Sequence, residues 1–318
     1  MDNFFALWTL GFLVGVVGGF FGIGGASIVT PALNLLGFRM PIAIGTDLVH
    51  IFGKSVSATL KHGELGHLDW KIAVLLALGT IPGVEIAARL VFFWNERGIV
   101  DQSVRWIQMV VLGALALMVL SEQVFKRHGG FSNWRGFLAR IPIPPYFDSP
   151  VSHLSRASVW GFIGLGLFTG FMAGMLGGGG GTVRVPAMIY LLGMPAKVAV
   201  GTDLIELLLS AGYGSFVYIS QGQVDLLSAL VMLFGGAFGA RLGAMATFYS
   251  PSRQLRGLLG ILLAASFLAV TMKQFRFGGT LLPLTVLGLT AFGIALFVLW
   301  ILVTNLWVPR RLSVEQRR

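Results

Sequence analysis

Cysteine is absent from this sequence, and charged residues are scarce. None of the 318 residues is Cys, and only 11% are Asp, Glu, Lys or Arg, whereas soluble domains carry about 25% charged residues. The lack of Cys excludes disulfide bonds, thiolate metal sites and a Cys nucleophile. The lack of charge excludes a water-facing outer surface for a chain of this size, so most of that surface must face lipid. The sequence therefore predicts an integral membrane protein.

Signatures of catalysis and of metal binding are also lacking. The sequence contains neither a G-x-S-x-G nor an H-E-x-x-H motif. Only Ser27 or Ser210 with His50 could supply a nucleophile and a base, so an intramembrane enzyme is a disfavoured alternative. No metal site and no cofactor are expected, because the intramembrane region offers few His or carboxylate residues in ligand spacing. The net charge of +10 is explained by basic cytoplasmic loops, and nucleic acid is not an expected partner.

Glycine is abundant, and it interrupts two of the apolar stretches. Most stretches are about 20 residues long, as required to cross a hydrocarbon core of roughly 30 Å. The two that begin the repeats described below are too long for one straight helix, and glycines at 22–25 and 177–181 divide them. Each is predicted to form a hairpin of two helices whose break is buried in protein or lines a wet cavity. The nine stretches are 4–36, 41–60, 71–94, 105–121, 158–193, 195–219, 224–248, 255–272 and 280–307.

An internal repeat relates the two interrupted stretches, with a displacement of 155 to 156 residues. The matching segments share glycines, a Pro-Ala pair, a Gly-Thr-Asp-Leu sequence, a G-x-[LV]-D sequence and a G-x-x-x-G pair. If each hairpin enters and leaves on the same side, each repeat crosses the membrane an odd number of times, so the second copy is inverted. The matches are 15–32 with 170–187, 45–48 with 201–204, 66–69 with 222–225, and 79–83 with 235–239.

The predicted fold is an all-α polytopic membrane protein of two inverted-topology repeats. Each repeat has a glycine-broken helical hairpin and three transmembrane helices, and an extra C-terminal helix follows. Basic residues in the linker and in the C-terminal tail predict that both are cytoplasmic, whereas Lys273 and Arg276 are exceptions that this topology assigns to the outside. The divisions are a first repeat (1–121), a basic cytoplasmic linker (122–157), a second repeat (158–275), and an additional transmembrane helix with a basic tail (276–318).

The two helix breaks form the expected substrate site. The first N–H groups of a helix lack intrahelical acceptors and, with the helix dipole, attract anions. Arg184 follows the second break within an apolar stretch, and its guanidinium suits paired oxyanion oxygens. Two alternatives stay open: the glycines could only permit close helix packing, and Arg184 could pair structurally with Asp203 or Glu206. The predicted substrate-binding residues are Gly24, Gly25, Ser27, Gly179, Gly180, Thr182 and Arg184.

Ionisable residues follow each Gly-Thr-Asp sequence at helical spacings. Asp47, His50 and Lys54 share one helix face. Asp203 and Glu206 share another. The four candidates for ion or proton coupling are Asp47, His50, Asp203 and Glu206. The alternative is that Asp47 and Asp203 cap helices or pair with a buried cation.

Two other groups of polar residues are not expected to act in transport. His62 and His67 are expected to be solvated in a polar loop. Glu85 and Arg89 are spaced i,i+4, which favours a structural ion pair.

The repeated motifs resemble those of the sulfite exporter TauE/SafE family of membrane permeases. The resemblance rests on the duplicated G-x-G-G break with its following Pro-Ala, the Gly-Thr-Asp-Leu and G-x-[LV]-D segments and the G-x-x-x-G spans, and covers residues 8–272. It implies a secondary transporter that exports sulfite or an organosulfonate such as sulfoacetate across the bacterial inner membrane by alternating access. A channel-like anion pore is the main alternative.

The resemblance also implies a location and partners. The protein is expected to be a multi-pass inner-membrane protein with a cytoplasmic C-terminus. Its expected partners are a small anionic substrate and membrane lipid, and a homodimer is compatible with the sequence. The unpaired final helix and the long basic linker depart from the family pattern.

Overall fold

A computed structural model describes residues 4–23, 28–124, 136–138, 141–177 and 180–307 of the chain. This part of the chain contains eleven α-helices and one two-stranded sheet. The helices before the sheet are α1 (Phe4–Phe21), α2 (Val29–Leu35), α3 (Met40–Glu64), α4 (Trp70–Glu96) and α5 (Val100–Val124). The helices after it are α6 (Val159–Leu176), α7 (Gly181–Tyr190), α8 (Ala196–Ser220), α9 (Leu226–Tyr249), α10 (Ser252–Gln274) and α11 (Leu281–Trp307).

Both predicted helix breaks are confirmed. Helix α1 ends at Phe21 and α2 begins at Val29. Helix α6 ends at Leu176, and Gly177 follows it with a φ of 80°, the left-handed conformation in which glycine commonly ends a helix. Gly180, also at a φ of 80°, precedes α7. The predicted site residues Gly24, Gly25, Ser27 and Gly179 lie outside the described residues.

Seven helices in the described ranges are long and apolar enough to cross a membrane: α1, α4, α5, α6, α9, α10 and α11. Helices α3 and α8 have 25 residues each and are equally long enough. They differ because they carry polar and ionisable side chains that are buried inside the protein. The polar faces of α3 and α8 are therefore turned toward the inside of the protein.

The linker between the repeats contains a structure that the sequence did not predict. Strands β1 (Tyr146–Ser149) and β2 (Leu154–Ser158) form an antiparallel hairpin, so the expectation of a purely helical fold is wrong in this segment. The hairpin is fastened to α4, because the hydroxyl groups of Ser149 and Ser152 both donate to Asp69 Oδ2. Single polar contacts of this kind leave no periodic signal in the sequence.

Glycines bring two pairs of helices into backbone contact. A Cβ atom added to Gly15 of α1 would lie 2.8 Å from the Cα atom of Gly236 in α9. A Cβ atom added to Gly170 of α6 would lie 2.6 Å from the Cα atom of Thr80 in α4. Glycines one turn away on both helices make the same kind of contact, as in other small-residue stripes of membrane helices. Close packing is therefore a role of the glycines that precede each break.

Polar contacts also join the two halves at equivalent positions. The hydroxyl oxygen of Thr46 in α3 accepts from the backbone N–H of Asp225, at 2.9 Å. The hydroxyl oxygen of Thr202 in α8 accepts from the N–H of Asp69, at 3.1 Å. Each Asp in turn caps the helix that follows it. Asp69 accepts from the backbone N–H of Ile72 in α4, and Asp225 accepts from that of Ser228 in α9. Each Gly-Thr-Asp segment thus contacts the G-x-[LV]-D loop of the other half.

Candidate functional site

Arg184 forms a buried ion-pair cluster with two carboxylates of α8. Its Nε donates to Asp203 Oδ1, and its Nη2 pairs with Glu206 Oε2. Its Nη1 also lies 3.4 Å from the hydroxyl oxygen of Thr80 in α4. All four side chains are fully buried. We call these four residues the arginine cluster; it contains the pairing that the sequence leaves open as an alternative for Arg184.

The local sequence explains why this cluster forms. Asp203 and Glu206 are three residues apart and therefore lie on the same face of α8. Arg184 is in the first turn of α7, immediately after the helix break, so its long side chain can reach across both carboxylates. Ser210 donates to Glu206 Oε2 at 3.1 Å. One cation and two carboxylates sum to a formal charge of −1, and unpaired charges at such depth would be costly.

A second polar cluster occupies the equivalent place on α3. The hydroxyl of Thr30 in α2 donates to Asp47 Oδ2 at 2.9 Å, and His50 Nδ1 lies 3.5 Å from Asp47 Oδ1. Lys54 follows His50 by one turn, and all four side chains are almost completely buried. We call Thr30, Asp47, His50 and Lys54 the lysine cluster. Neither ring nitrogen of His50 nor the ammonium of Lys54 has a hydrogen-bond partner within the described ranges.

Lys54 points toward the first helix break. A Cβ atom built on Gly18 would lie 2.8 Å from Lys54 Nζ, so the ammonium lies against the last turn of α1. The C-terminal end of a helix carries partial negative charge and attracts cations. Each half therefore has one buried cation beside its break: Lys54 from α3 in the first half, and Arg184 from α7 in the second.

Neither Asp47 nor Asp203 caps a helix. Each is the eighth residue of its helix, whereas Arg39 and Pro195 occupy the N-cap positions. The capping alternative is therefore wrong for both, because both helices begin two turns before the Gly-Thr-Asp sequence ends. Asp203 pairs with a buried cation, as the other alternative expects, and Asp47 accepts from Thr30 instead.

The described residues of the predicted anion site lie together at the start of α7. The backbone N–H of Arg184 donates to the carbonyl of Gly180 at 2.8 Å. A Cβ atom on Gly180 would come within 2.7 Å of the Thr169 carbonyl and 3.3 Å of Arg184 Nη1, so only glycine leaves room here. Thr182 is 3% exposed, and its hydroxyl has no hydrogen-bond partner among the residues that the structure describes.

His62 is buried, so the expectation that it is solvated is wrong. It lies in the last turn of α3, where its Nε2 is 3.3 Å from the Gly19 carbonyl oxygen and its Nδ1 is 3.2 Å from Nδ1 of His67. The missed signal is that His62 follows Lys54 by eight residues, two turns along the same helix face. The equivalent residue of the second half, Tyr218, is also buried and donates to the Gly174 carbonyl at 2.8 Å.

Two further predictions on polar residues can be compared with the geometry. His67 is only partly buried, and that burial, together with the nearby charge of Lys197, lowers the pKa of its ring below 6.5. Arg89 Nε donates to Glu85 Oε1 at 2.7 Å, and Tyr213 donates to Glu85 Oε2 at 2.9 Å. The predicted structural pair of Glu85 and Arg89 is confirmed. Sequence analysis missed Thr30 and Thr80, which complete the two clusters from other helices.

Comparison with known proteins identifies the family. The family model described as "Sulfite exporter TauE/SafE" matches residues 7–270. The chain belongs to this family of membrane transporters. The match extends from α1 into α10 and leaves out α11.

Curated relatives carry the general name of probable membrane transporter protein. YunE of Bacillus subtilis is 31% identical over 255 residues, which cover 76% of this chain and 88% of the relative. YjnA of the same organism is 28% identical, with 81% and 95% covered. MJ0441 of Methanocaldococcus jannaschii is 26% identical, with 81% and 91% covered. No solved structure matches the chain.

Proposed function

We propose that this TauE/SafE transporter is a secondary carrier that exports a small sulfur-containing anion, sulfite or an organosulfonate, across the bacterial inner membrane. The observation that carries the proposal is the fully buried guanidinium of Arg184 at the start of α7. The name of the matching family model supports sulfite as the substrate class. A planar guanidinium binds pairs of oxyanion oxygens, which sulfite and sulfonates both offer.

The proposed anion site consists of the two glycine breaks and the residues that follow them. An oxyanion bound there would accept hydrogen bonds from the N–H groups of Arg184 that now donate to Asp203 and Glu206. Thr182 would supply its buried hydroxyl. The substrate and the carboxylates therefore compete for one guanidinium, and protonation of a carboxylate would favour the anion. The proposed site residues are Gly24, Gly25, Ser27, Gly179, Gly180, Thr182 and Arg184, with Asp47, His50, Asp203 and Glu206 as candidates for coupling.

The driving force for export follows from the charge that moves. A monovalent anion that leaves alone gains about 2.3 kcal/mol per 100 mV from a potential that is negative inside. A monovalent anion that leaves together with one proton moves no net charge, so the same potential contributes no driving force. Asp203 and Glu206 pair with Arg184, so in this proposal their protonation determines whether the anion leaves alone or with a proton.

Alternating access is proposed to occur between two inverted halves. Two observations support this: Thr46 and Thr202 make reciprocal hydrogen bonds, and the glycine stripes of α1 and α6 make equivalent contacts with α9 and α4. In this proposal the halves are residues 1–121 and 158–275, and the linker and the C-terminus are cytoplasmic. Gly22 and Gly177, the described residues at the start of the breaks, lie against Val200 and Ile44 of the opposite half, so a rocking motion of the halves would expose these positions to either side.

The test is anion flux into proteoliposomes. Reconstituted protein should take up radiolabelled sulfite or sulfoacetate more rapidly than taurine or thiosulfate, and the rate should saturate with concentration, unlike flow through a channel. Arg184→Lys keeps the charge but loses the planar fork, so uptake should fall about tenfold or more. Arg89→Gln, which alters an exposed ion pair, is the matched control and should keep full uptake. Equal transport of every anion by folded wild type and Arg184→Lys protein would refute the site.

The coupling is tested in the same vesicles by imposing a potential and a pH gradient separately. Response to the potential alone means that the anion moves without a proton. Response to the pH gradient that disappears in Asp203→Asn assigns the proton to the arginine cluster. Indifference of the flux to both gradients would contradict secondary transport of a charged substrate.

A further inference from the structure

A basic cavity opens between α5, the end of α10 and the turn that precedes α11. Its volume is about 490 Å³, within the range of about 300 to 1,000 Å³ that small-ligand sites occupy. Its wall includes the side chains of Gln102, Arg105, Lys273, Arg276 and Thr280. It is separate from both buried clusters, because none of their residues lines it.

The charge of this cavity is largely uncompensated. Within the described ranges, no carboxylate oxygen lies within 4.0 Å of a side-chain nitrogen of Arg105, Lys273 or Arg276. The nearest acidic residue along α5 is Asp101, whose Oδ1 accepts from the backbone N–H of Met40 at 2.9 Å. Three cations and this one carboxylate sum to a formal charge of +2. An anion entering the cavity would therefore meet a positive potential.

Arg105 is held in place without being neutralised. Its Nε donates to Gln274 Oε1 at 3.0 Å, and its Nη1 donates to Asn34 Oδ1 at 3.3 Å. Both acceptors are neutral amide oxygens, so they orient the guanidinium and leave its charge intact. A charged group that is fixed in this way is prepared for an anionic ligand, because little side-chain freedom remains to be lost on binding.

Gln108 supplies an independent indication of a ligand. It follows Arg105 by three residues on α5 and is 1% exposed, and neither its amide nitrogen nor its amide oxygen has a hydrogen-bond partner among the described residues. Together with Arg105 and Lys273 it lines a narrower space that continues to Pro31 and Asn34 of α2. Buried amides are normally hydrogen-bonded, so an amide without a partner beside the two cations Arg105 and Lys273 calls for a polar ligand.

We propose that this cavity is an oxyanion-binding site that holds a sulfite-like or sulfonate group next to α2, the helix that follows the first break. This inference rests on the proposed function, in which the cavity would be an intermediate binding site on the transport path of the anion. It also gives a reason for Lys273 and Arg276, the two residues that the positive-inside rule does not explain. A lipid phosphate has the same oxyanion chemistry, and the experiment distinguishes the two sources.

The absence of Cys from the chain permits a direct test with a single introduced thiol. Thr280→Cys lies at the cavity wall, and Ser220→Cys lies at an exposed position at the end of α8. Each full-length variant is treated with an anionic and with a cationic methanethiosulfonate of similar size. The cavity thiol should favour the anionic reagent by about tenfold relative to the control thiol, which corresponds to a difference of about 1.4 kcal/mol between the two reagents in the positive local potential.

Charge-removing variants decide whether the cations cause this preference. Lys273→Gln with Arg276→Gln in the Thr280→Cys protein should abolish it, whereas Lys71→Gln, which removes an exposed cation at the start of α4, should leave it unchanged. Methanesulfonate should protect the cavity thiol, and Gln108→Leu should weaken that protection by about tenfold without changing the charge preference. Equal labelling by both reagents, or a preference that survives the double variant, would overturn the proposal.

Two arms separate the source of the oxyanion and the fate of the proposed function. Protection by methanesulfonate in detergent identifies a free anion, whereas protection only in phosphatidylglycerol nanodiscs, and not in phosphatidylcholine ones, identifies a lipid headgroup. Normal sulfite transport by a protein without the charge preference would refute the cavity alone. A preserved preference without transport of any sulfur anion would refute the proposed function alone.

Discussion

The arginine cluster of the second half is closed, meaning that its cation pairs with both carboxylates. The lysine cluster of the first half is open, because within the described residues its ammonium has no hydrogen-bond partner. The two occupy equivalent places, since Asp47, His50 and Lys54 correspond to Asp203, Glu206 and Ser210 at a constant displacement. They differ in which element supplies the cation. Lys54 is seven residues from Asp47 on the same helix, about 10.5 Å along its axis, so the two side chains start far apart.

Arg184 has no such limit, because it comes from another helix. It enters from α7 and reaches both carboxylates of α8 at once. The comparison teaches that the repeated helix positions determine where a cluster forms. Whether the cation pairs with the carboxylates depends on whether it comes from the same helix or from another one. The following predictions test this difference, in order of decreasing effect.

The largest effect is expected from removing the cation of the closed cluster. Arg184→Met leaves two buried carboxylates without their partner, and we expect a loss of about 3–5 kcal/mol in the free energy of unfolding. Lys54→Met removes an ammonium that makes no hydrogen bond within the described residues, and should cost less, about 1–2 kcal/mol. Thermal unfolding in detergent measures both.

A compensated variant controls for the loss of packing at the same site. Arg184→Met combined with Asp203→Leu and Glu206→Met removes all three charges and should recover most of the lost stability. Equal losses for Arg184→Met and Lys54→Met would mean that the closed and open clusters do not differ in energy.

The second prediction asks whether the two halves are packed alike. A Cβ on Gly166 would meet the backbone of Leu76, and one on Gly11 would meet that of Met232, whereas Gly164 has nothing within 4 Å. Gly166→Ala and Gly11→Ala should each destabilise the fold by about 1–3 kcal/mol, because the helices must move apart. Gly164→Ala, the control on α6, should be neutral or slightly stabilising. A neutral result at Gly166 with a large loss at Gly11 would show that the halves pack differently.

The third prediction concerns the hydrogen bonds that the halves exchange. Thr202→Val deprives the N–H of Asp69, which is 4% exposed, of its acceptor and should cost about 1–2 kcal/mol. Thr46→Val affects the N–H of Asp225, which is half-buried and open to water, and should cost about 0.5–1 kcal/mol. Chemical denaturation can resolve this order, and a larger loss for Thr46→Val would contradict it.

The smallest effect is expected at His67, where the second half has Gln223. Burial and Lys197 hold the pKa of His67 below 6.5, so the unfolded chain takes up this proton at a higher pH than the folded one. Stability from this source is complete above pH 6.5 and is lost as the pH falls through the lower, folded value. His67→Gln should flatten the decrease in melting temperature from about pH 7 to about pH 5. An unchanged slope would show that His67 does not cause the loss of stability at low pH.

The sequence predicts the helical framework well because apolar length and glycine breaks are local signals. It also places Arg184 beside Asp203 and Glu206 as one of two alternatives. It does not predict the partners that come from distant helices, such as Thr80 for Arg184, because no spacing rule relates residues on separate elements. The serine contacts of the β1–β2 hairpin and the basic cavity are missed for the same reason. His62 is different, since its helical spacing from Lys54 was available and its burial could have been inferred.

The exchanged threonine contacts have a consequence for synthesis. When α4 leaves the ribosome, the acceptor for Asp69 does not yet exist, because Thr202 lies 133 residues further along the chain. The glycine stripe of α1 likewise has no backbone of α9 to pack against until α9 has been made. The packing partners of α1 and α4 are therefore missing for most of translation, and the first half can complete its contacts only when the second half has been inserted. Quality control of this protein should accordingly depend on the arrival of α8 and α9, more than on the insertion of any single helix.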